Sequence, residues 1–526
     1  MSRQPYLSAV NERVIVFDGA FGTFVQDLDL GPDDFGGASL EGCNEYLCIT
    51  RPDVIRQMHS AFLDVGVDVL ETASFGSFST VLSEYNISDK AYELNVEAAR
   101  LARETANDYE ASGKARYVAG SIGPGTKLPS LGHIRFAELR DAYIEQARGL
   151  IVGGADLFLI ETCMDLLQIK AAMIACRRAM VAEGREIPIQ VQVTMETTGR
   201  MLVGSEIGAA LTAISAMKPD VFGINCATGP AEMQEHLRYL SQNASMPISV
   251  LPNAGLPSIV DGRTHYDLTP AELAKFHHHH VHDLGIGIVG GCCGTTPAHL
   301  KAVVDAVSGM AAPKRTPIDE PSVASIYSSV PMVQDKSFLI IGERTNTNGS
   351  KAFRDAMIAG EWDNCSKIAT EQIREGAHVL DVCVDYVGRD GAIDMDEIAS
   401  RFATQASVPL VLDSTEPQVL EAGLMHIGGR AILNSANLED GEEIGCRMDR
   451  VFSLAREYGC AVICLLIDEK GQARDVEWKL EIAHRIHRIA VDRYGLSASD
   501  LIFDALTFPL STGDDDLRLD AKHTID

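Results

Sequence analysis

Short apolar runs alternate with amphipathic stretches along this chain, and that alternation limits its possible folds more than any other feature. The runs are Arg13–Phe17, Val67–Thr72, Arg116–Ser121, Asp156–Thr162, Ile187–Thr194, Asp220–Cys226, Pro247–Pro252 and Gly285–Gly290, eight strand candidates in about 290 residues. The stretches between them, such as Pro52–Val65 and Ala91–Ser112, repeat apolar residues at spacings of three and four, the period of a helix with one buried face. Each run is continuously apolar rather than alternating, as in parallel strands buried on both faces. Eight such strands separated by helices predict a closed (β/α)8 barrel. An open doubly wound sheet is the rival, but no Gly-rich dinucleotide fingerprint follows the first run.

The alternation breaks at Ser308–Lys336, where Ala311–Pro321 holds three prolines and no periodicity. It then restarts with Phe338–Gly342, His378–Val382, Pro409–Leu412, Ala431–Asn434, Ala461–Ile467 and Asp500–Asp504, six runs rather than eight. The expected organisation is a barrel over residues 1–308, a linker over 309–336, and a second α/β barrel over 337–526 that is two strands short. A length of 526 residues suits two barrels of about 250 residues each.

Composition narrows the partners. The formal charge is −29, from 45 basic and 74 acidic residues, which argues against nucleic acid and anionic membrane surfaces. No apolar run approaches the ~18 residues of a membrane span, and the first residues lack a signal-peptide layout. A cytoplasmic location is expected by default. Twelve cysteines spread over this length do not make a secreted disulfide scaffold.

In a (β/α)8 barrel the chemistry lies where the strands end. Asp18-Gly19, Glu161, Asn225-Cys226, Asn253 and Cys292-Cys293 all end predicted strands. Cys292 and Cys293 sit in a Gly-rich turn after the eighth strand, and Cys226 lies two strands earlier. If both strands belong to one barrel, the three sulfurs can converge over its rim. Three thiolates select a soft ion such as zinc and leave its fourth tetrahedral position open, the layout of a catalytic site. A substrate thiol entering that position would be deprotonated outright, whereas a free thiol is only a few per cent ionised at neutral pH. Cys43, Cys48, Cys163, Cys176, Cys365, Cys446, Cys460 and Cys464 read instead as ordinary apolar residues.

The segments Asp18–Thr23 (DGAFGT), Ile160–Thr162 (IET), Gly223–Cys226 (GINC), Pro252–Gly255 (PNAG) and Gly290–Pro297 (GGCCGTTP) resemble the homocysteine methyltransferase family over residues 10 to 308. The resemblance implies that Cys226, Cys292 and Cys293 bind zinc and, through it, the homocysteine sulfur. It implies that Asp18, with Gly19, and Glu161 hold the amino acid end. One departure is Glu71-Thr72-Ala73-Ser74, where many relatives have Asn in place of Ala73.

Gly342–Asn346 (GERTN), Leu380–Asp385 (LDVCVD), Leu412–Ser414 (LDS), Asn434-Ser435 and Phe503–Gly513 (FDALTFPLSTG) resemble the pterin-binding domain of cobalamin-dependent methionine synthases. That resemblance assigns Glu343, Asn346, Asp381, Asp413, Asn434 and Asp504 to 5-methyltetrahydrofolate, whose flat ring offers donors that Asp accepts and Asn complements. Cys383 departs from the Asn usual in relatives, and the last two strands are missing. The family's cobalamin carrier has an Asp-x-His-x-x-Gly loop. Asp520–His523 does not fit it, so methylcobalamin is expected on a domain or protein beyond this chain, which reads as truncated. The run His277–His280 is expected to face solvent on a helix, with adventitious metal binding as the alternative.

The implied reaction is transfer of a methyl group from methyltetrahydrofolate, by way of cobalamin, to homocysteine, giving methionine. Alternatives are a homocysteine methyltransferase using S-methylmethionine or betaine, and a non-catalytic zinc-binding truncation product.

Overall fold

In a computed structural model of the chain, the structure describes residues 3–110, 113–260, 263–507 and 517–526. The chain divides into two compact units: Met1–Leu211 with Pro219–Asp319, and Thr212–Lys218 with Glu320–Asp526.

Every apolar run of the first unit contains a strand. These are β1 (Ile15–Val16), β2 (Val69–Glu71), β3 (Tyr117–Ile122), β4 (Leu157–Cys163), β5 (Ile189–Val193), β6 (Val221–Asn225) and β7 (Ile248–Leu251), then a hairpin of β8 (Pro257–Val260) and β9 (Arg263–Tyr266), and finally β10 (Ile288–Val289). Apart from the hairpin they form one parallel sheet in the order β1-β10-β7-β6-β5-β4-β3-β2. A bridge between Phe17 and Val69 joins β1 to β2 and closes the barrel. Asp18 N donates to Val69 O at 3.1 Å and Asp68 N to Val16 O at 2.7 Å across that seam.

The barrel core holds Ile15, Phe17, Val69, Leu157, Leu159, Val221, Leu251 and Ile288. Its N-terminal end is stoppered by helix Tyr6–Glu12, whose Tyr6 packs edge-on against Tyr117 with ring centroids 5.4 Å apart. Helix Leu166–Glu183 is buried all round from Leu166 to Cys176, whereas others bury one stripe. Helix Pro52–Asp64 starts on a proline at its first turn and buries Val54, Ile55, Met58, Phe62 and Leu63, the three-four spacing read from the sequence.

The second unit repeats the plan with six parallel strands among the described residues: β13 (Ile341–Gly342), β14 (Val379–Cys383), β15 (Leu410–Asp413), β16 (Ile432–Ala436), β17 (Ala461–Leu465) and β20 (Leu501–Asp504), paired in that order. The fold class is therefore two tandem barrels of the (β/α)8 type, the second with six strands. Three details were not anticipated. The Pro-rich stretch read as a linker is fixed backbone. Its first part lies on the first unit, where Ala312 N donates to Glu12 O at 3.0 Å and the Arg315 guanidinium caps the carbonyls of Ser241 and Ala244. Its second part forms a hairpin of β11 (Ser322–Ala324) and β12 (Ser329–Pro331), whose Val323 joins the core of the second unit with Val379, Val411, Ile432 and Ala461. Lastly, the run Ala461–Ile467 divides, its last residue opening a small hairpin of β18 (Ile467–Asp468) and β19 (Gly471–Gln472).

Candidate functional site

The C-terminal rim of the first barrel gathers the three cysteines. β6 ends at Asn225, and Cys226 and Ala227 both adopt left-handed backbone, with φ of 59° and 57°. Such conformations cost energy in non-glycine residues and concentrate at functional sites. The turn is pinned by Cys226 N donating to Leu251 O at 3.1 Å. The turn after β10 is pinned from three sides: Cys292 N to Pro252 O at 2.8 Å, Gly291 N to Asp18 O at 3.2 Å, and Ala254 N to Cys293 O at 2.9 Å. Gly294 is required there, since its φ is +78° and a Cβ would lie 2.3 Å from the Tyr266 ring.

The ligand atoms of Cys226, Cys292 and Cys293 all lie within 4.8 Å of one another, with 3.8 Å between the sulfurs of Cys226 and Cys293. That is far beyond a disulfide bond. It matches sulfurs sharing one tetrahedral ion, which sit about 3.8 Å apart when each is about 2.3 Å from it. Hydrogen bonds from Cys226 and then Cys292 lower the Cys293 thiol to about 3. Cys292, in its bonds to Cys226 and Cys293, is pushed well above the ordinary thiol value. The trio by itself thus favours one negative charge, and a soft cation could replace the remaining protons. The donor set fits a thiolate-bound metal.

Three carboxyl groups share the same rim. Asp18, 1% exposed, accepts from Glu71 N at 3.1 Å and is raised well above the carboxylate range by burial, with Glu161 adding repulsion. Glu161, 4% exposed, accepts from Ser121 Oγ at 2.5 Å and from Asn225 Nδ2 at 3.2 Å. Burial pushes it up to about 7, with Cys293 contributing. Glu71 is raised by burial and by Glu161 and Asp18, and its Oε1 is buried with no hydrogen-bond partner. No Lys or Arg pairs with these three among the described residues. Carboxyl groups crowded together without a cation of their own hold their protons more tightly, and a cation arriving among them would favour the ionised forms. Gly19 leaves the rim open beside Asp18, where a Cβ would meet Thr295 Oγ1 at 2.7 Å.

Sequence reasoning thus brought together Asp18, Glu161 and the cysteines but passed over Glu71, Ser121 and Tyr266. Glu71 ends the observed β2, one residue before the predicted strand end at Thr72. Tyr266, which helps to lower the Cys293 thiol, lies on the unanticipated hairpin after β7 and gave no signal. The reading of His277–His280 as a solvated face is corrected: His277 and His280 are fully buried, on the helix face that also buries Leu273, Ala274 and Val281. Three residues apart, they share one side of the helix, and only His278 and His279 turn outward.

In the second unit Asn346 Nδ2 donates to Asp381 Oδ2 at 2.8 Å and to Asp413 Oδ2 at 3.1 Å. Burial pushes Asp381 up to about 7 and Asp413 up to about 6. Asn434 is in register with Asp413 on the next strand. Glu343 is exposed at the end of β13 and close enough to raise Asp381. Asp504 is exposed, and its Oδ1 accepts from Leu506 N at 2.8 Å rather than from the other site residues. Residues 508–513 of the last motif lie outside the described residues. Cys383, the departure from the pattern, is buried and accepts from Asn348 Nδ2 at 3.8 Å, while Asp385 accepts from Ser414 Oγ at 2.9 Å.

Residues 342–526 match the family described as Pterin binding enzyme. The chain is 50% identical over 520 residues to the methionine synthase of Mycobacterium tuberculosis (strain ATCC 25618 / H37Rv), covering 99% of this chain and 44% of that protein. It is 49% identical over 525 residues to the methionine synthase of Mycobacterium leprae (strain TN), covering 99% and 43%. The chain therefore spans less than half the length of these curated relatives. The solved metallated form of the homocysteine methyltransferase MmuM from Escherichia coli is 21% identical, covering 57% of this chain and 99% of that one, with a TM-score of 0.47. Residues 15–307, more than half of the chain, match the family described as Homocysteine S-methyltransferase, and the chain belongs to that family.

Proposed function

We propose that the first barrel binds homocysteine at a zinc ion held by Cys226, Cys292 and Cys293 and forms methionine. The second barrel binds 5-methyltetrahydrofolate, the origin of the methyl group, which travels by way of cobalamin. The observation that carries this reading is the juxtaposition of three mutually close sulfurs with two buried carboxyl groups, Asp18 and Glu161, and the half-buried Glu71, none of which has a cation of its own. A thiol-bearing amino acid presents the complement of both: a sulfur for the metal and an ammonium for the acids.

Zinc on these sulfurs would ionise the substrate thiol at neutral pH, so no general base is required. Asp18, Glu161 and Glu71 receive the ammonium group. Ser121 and Asn225 hold the two oxygens of Glu161 in place. Tyr266, beside Cys293, helps to hold that thiol low. In the second barrel Asp381 and Asp413, bridged by Asn346, accept from the aminopyrimidine edge of the pterin, with Asn434, Glu343 and Asp504 around them. Their raised affinity for protons suits groups that share hydrogens with a ring. No helix among the described residues is long and apolar enough to cross a membrane, in keeping with work in the cytoplasm on small soluble substrates.

The test is methyl transfer to homocysteine by the zinc-loaded protein, offered free methylcobalamin, S-methylmethionine or betaine in turn. Methionine formed from methylcobalamin, and lost in Cys292→Ala together with bound zinc, is the expected result. Methionine formed only from S-methylmethionine or betaine would overturn the donor assignment. Retention of full zinc by Cys292→Ala would overturn the metal site.

A further inference from the structure

The buried histidines join the two loops that carry the cysteines. His277 Nε2 lies 2.8 Å from Gly290 O. A carbonyl only accepts, so the hydrogen is on His277 Nε2, and His277 Nδ1 of the neutral ring keeps a lone pair. That nitrogen faces His280 Nδ1 at 3.4 Å, so the hydrogen between them belongs to His280. His280 Nε2 is then an acceptor, and Gln234 Nε2 stands 2.8 Å from it as a donor. The second hydrogen of the same amide goes to Pro230 O at 3.1 Å. The assignments are consistent along the row: Gln234 donates to His280, His280 to His277, and His277 to Gly290. Both rings must be neutral for this. Burial lowers His277 to about 4 and holds His280 well below the ordinary histidine value.

The two ends of the row matter. Pro230 lies four residues after Cys226, in the loop that follows β6, and Gly290 lies two residues before Cys292, in the turn that follows β10. We propose that Gln234, His280 and His277 are positioning residues that set the spacing between the Cys226 loop and the Cys292–Cys293 turn, and thereby the affinity of the thiolate site for its metal. The inference rests on the metal reading given above. Hydrogen-bonded supports of this kind, one shell behind the ligands, commonly change metal affinity by about 10–100-fold.

The experiment measures the zinc dissociation constant by competition with a chelator at neutral pH, alongside the melting temperature of each metal-free protein. His277→Leu removes the donor to Gly290. His277→Gln retains an N–H at nearly the same reach, and Gln234→Leu breaks the far end without touching the turn. The expected results are zinc binding weakened about tenfold or more in His277→Leu, weakened in Gln234→Leu, and within about threefold of the wild type in His277→Gln. A purely space-filling role for the ring predicts equal losses in His277→Leu and His277→Gln, and that result overturns the proposal. Should His277→Leu fail to fold, wild-type zinc affinity in folded Gln234→Leu also overturns it. A wild-type protein that takes up no zinc defeats the metal site itself, whereas wild-type affinity in every folded variant defeats the positioning row alone.

Discussion

Replacing Glu161 by Gln removes one negative charge from the first barrel's rim while keeping the shape that Ser121 and Asn225 grip. Two effects of opposite sign follow. A carboxyl raised from 4.5 to about 7 is ionised above neutrality at a cost of about 3 kcal/mol relative to the unfolded chain. The native state holds the proton more tightly between those values, so wild-type stability falls as pH rises through that window. Gln does not titrate. The metal-free variant should therefore be more stable than the wild type by up to about 3 kcal/mol near pH ~8, or roughly 5 °C in melting temperature, with the gap closing below pH ~4.5. Homocysteine binding moves the other way. A charged hydrogen bond to the ammonium is worth about 1.5–3 kcal/mol, so affinity should fall about 10–150-fold. Calorimetric melting at the two pH values and titration of the zinc-loaded protein with homocysteine read both effects. Mercaptoethanol, a thiol without an ammonium group, should bind both proteins alike. A variant no more stable at high pH, or one that loses both thiols equally, refutes the reasoning.

Two further predictions concern the scaffold. Arg430, buried in the second unit, donates to Asp500 Oδ1 at 2.5 Å and to Ser322 O at 2.8 Å, tying the β11–β12 hairpin to the sheet. Arg430→Met should destabilise that unit by about 3–5 kcal/mol because Asp500 is left buried and unpaired, and adding Asp500→Asn should recover much of the loss. The chain's two tryptophans, Trp362 and Trp478, both lie in this unit, so urea unfolding followed by tryptophan fluorescence isolates it. His59 is fully buried, neither ring nitrogen has a hydrogen-bond partner, and burial lowers it to about 3. The unfolded chain binds a proton there below about 6.5 and the native state does not. The stability of His59→Leu relative to the wild type should thus grow by about 1 kcal/mol per pH unit as pH falls from about 6.5 to 4, as read by thermal melts across that range.

The barrel strands were legible because each run is apolar throughout, which only burial on both faces requires. The convergence of Cys226, Cys292 and Cys293 was legible because adjacent cysteines in a glycine turn and a cysteine ending another strand have few other uses. What escaped depends on information that periodicity does not hold. Tyr266 reaches Cys293 from a hairpin inserted in a loop, where no pattern marks which residue turns inward. The Pro-rich stretch hides Val323, a core residue whose local surroundings look like a connector. His277 and His280 looked polar and were given to solvent, because which side of a helix faces the barrel is decided by tertiary packing and by a carbonyl thirteen residues away. Asp504 carries the charge expected of a ring-binding residue but turns back onto its own loop at Leu506.

X-ray absorption at the zinc edge examines the first coordination shell of the loaded protein directly. The account predicts one zinc per chain with three sulfur neighbours at about 2.3 Å and one lighter atom, changing to four sulfurs when homocysteine is added. A shell with fewer than three sulfurs, or one unaltered by homocysteine, would contradict it.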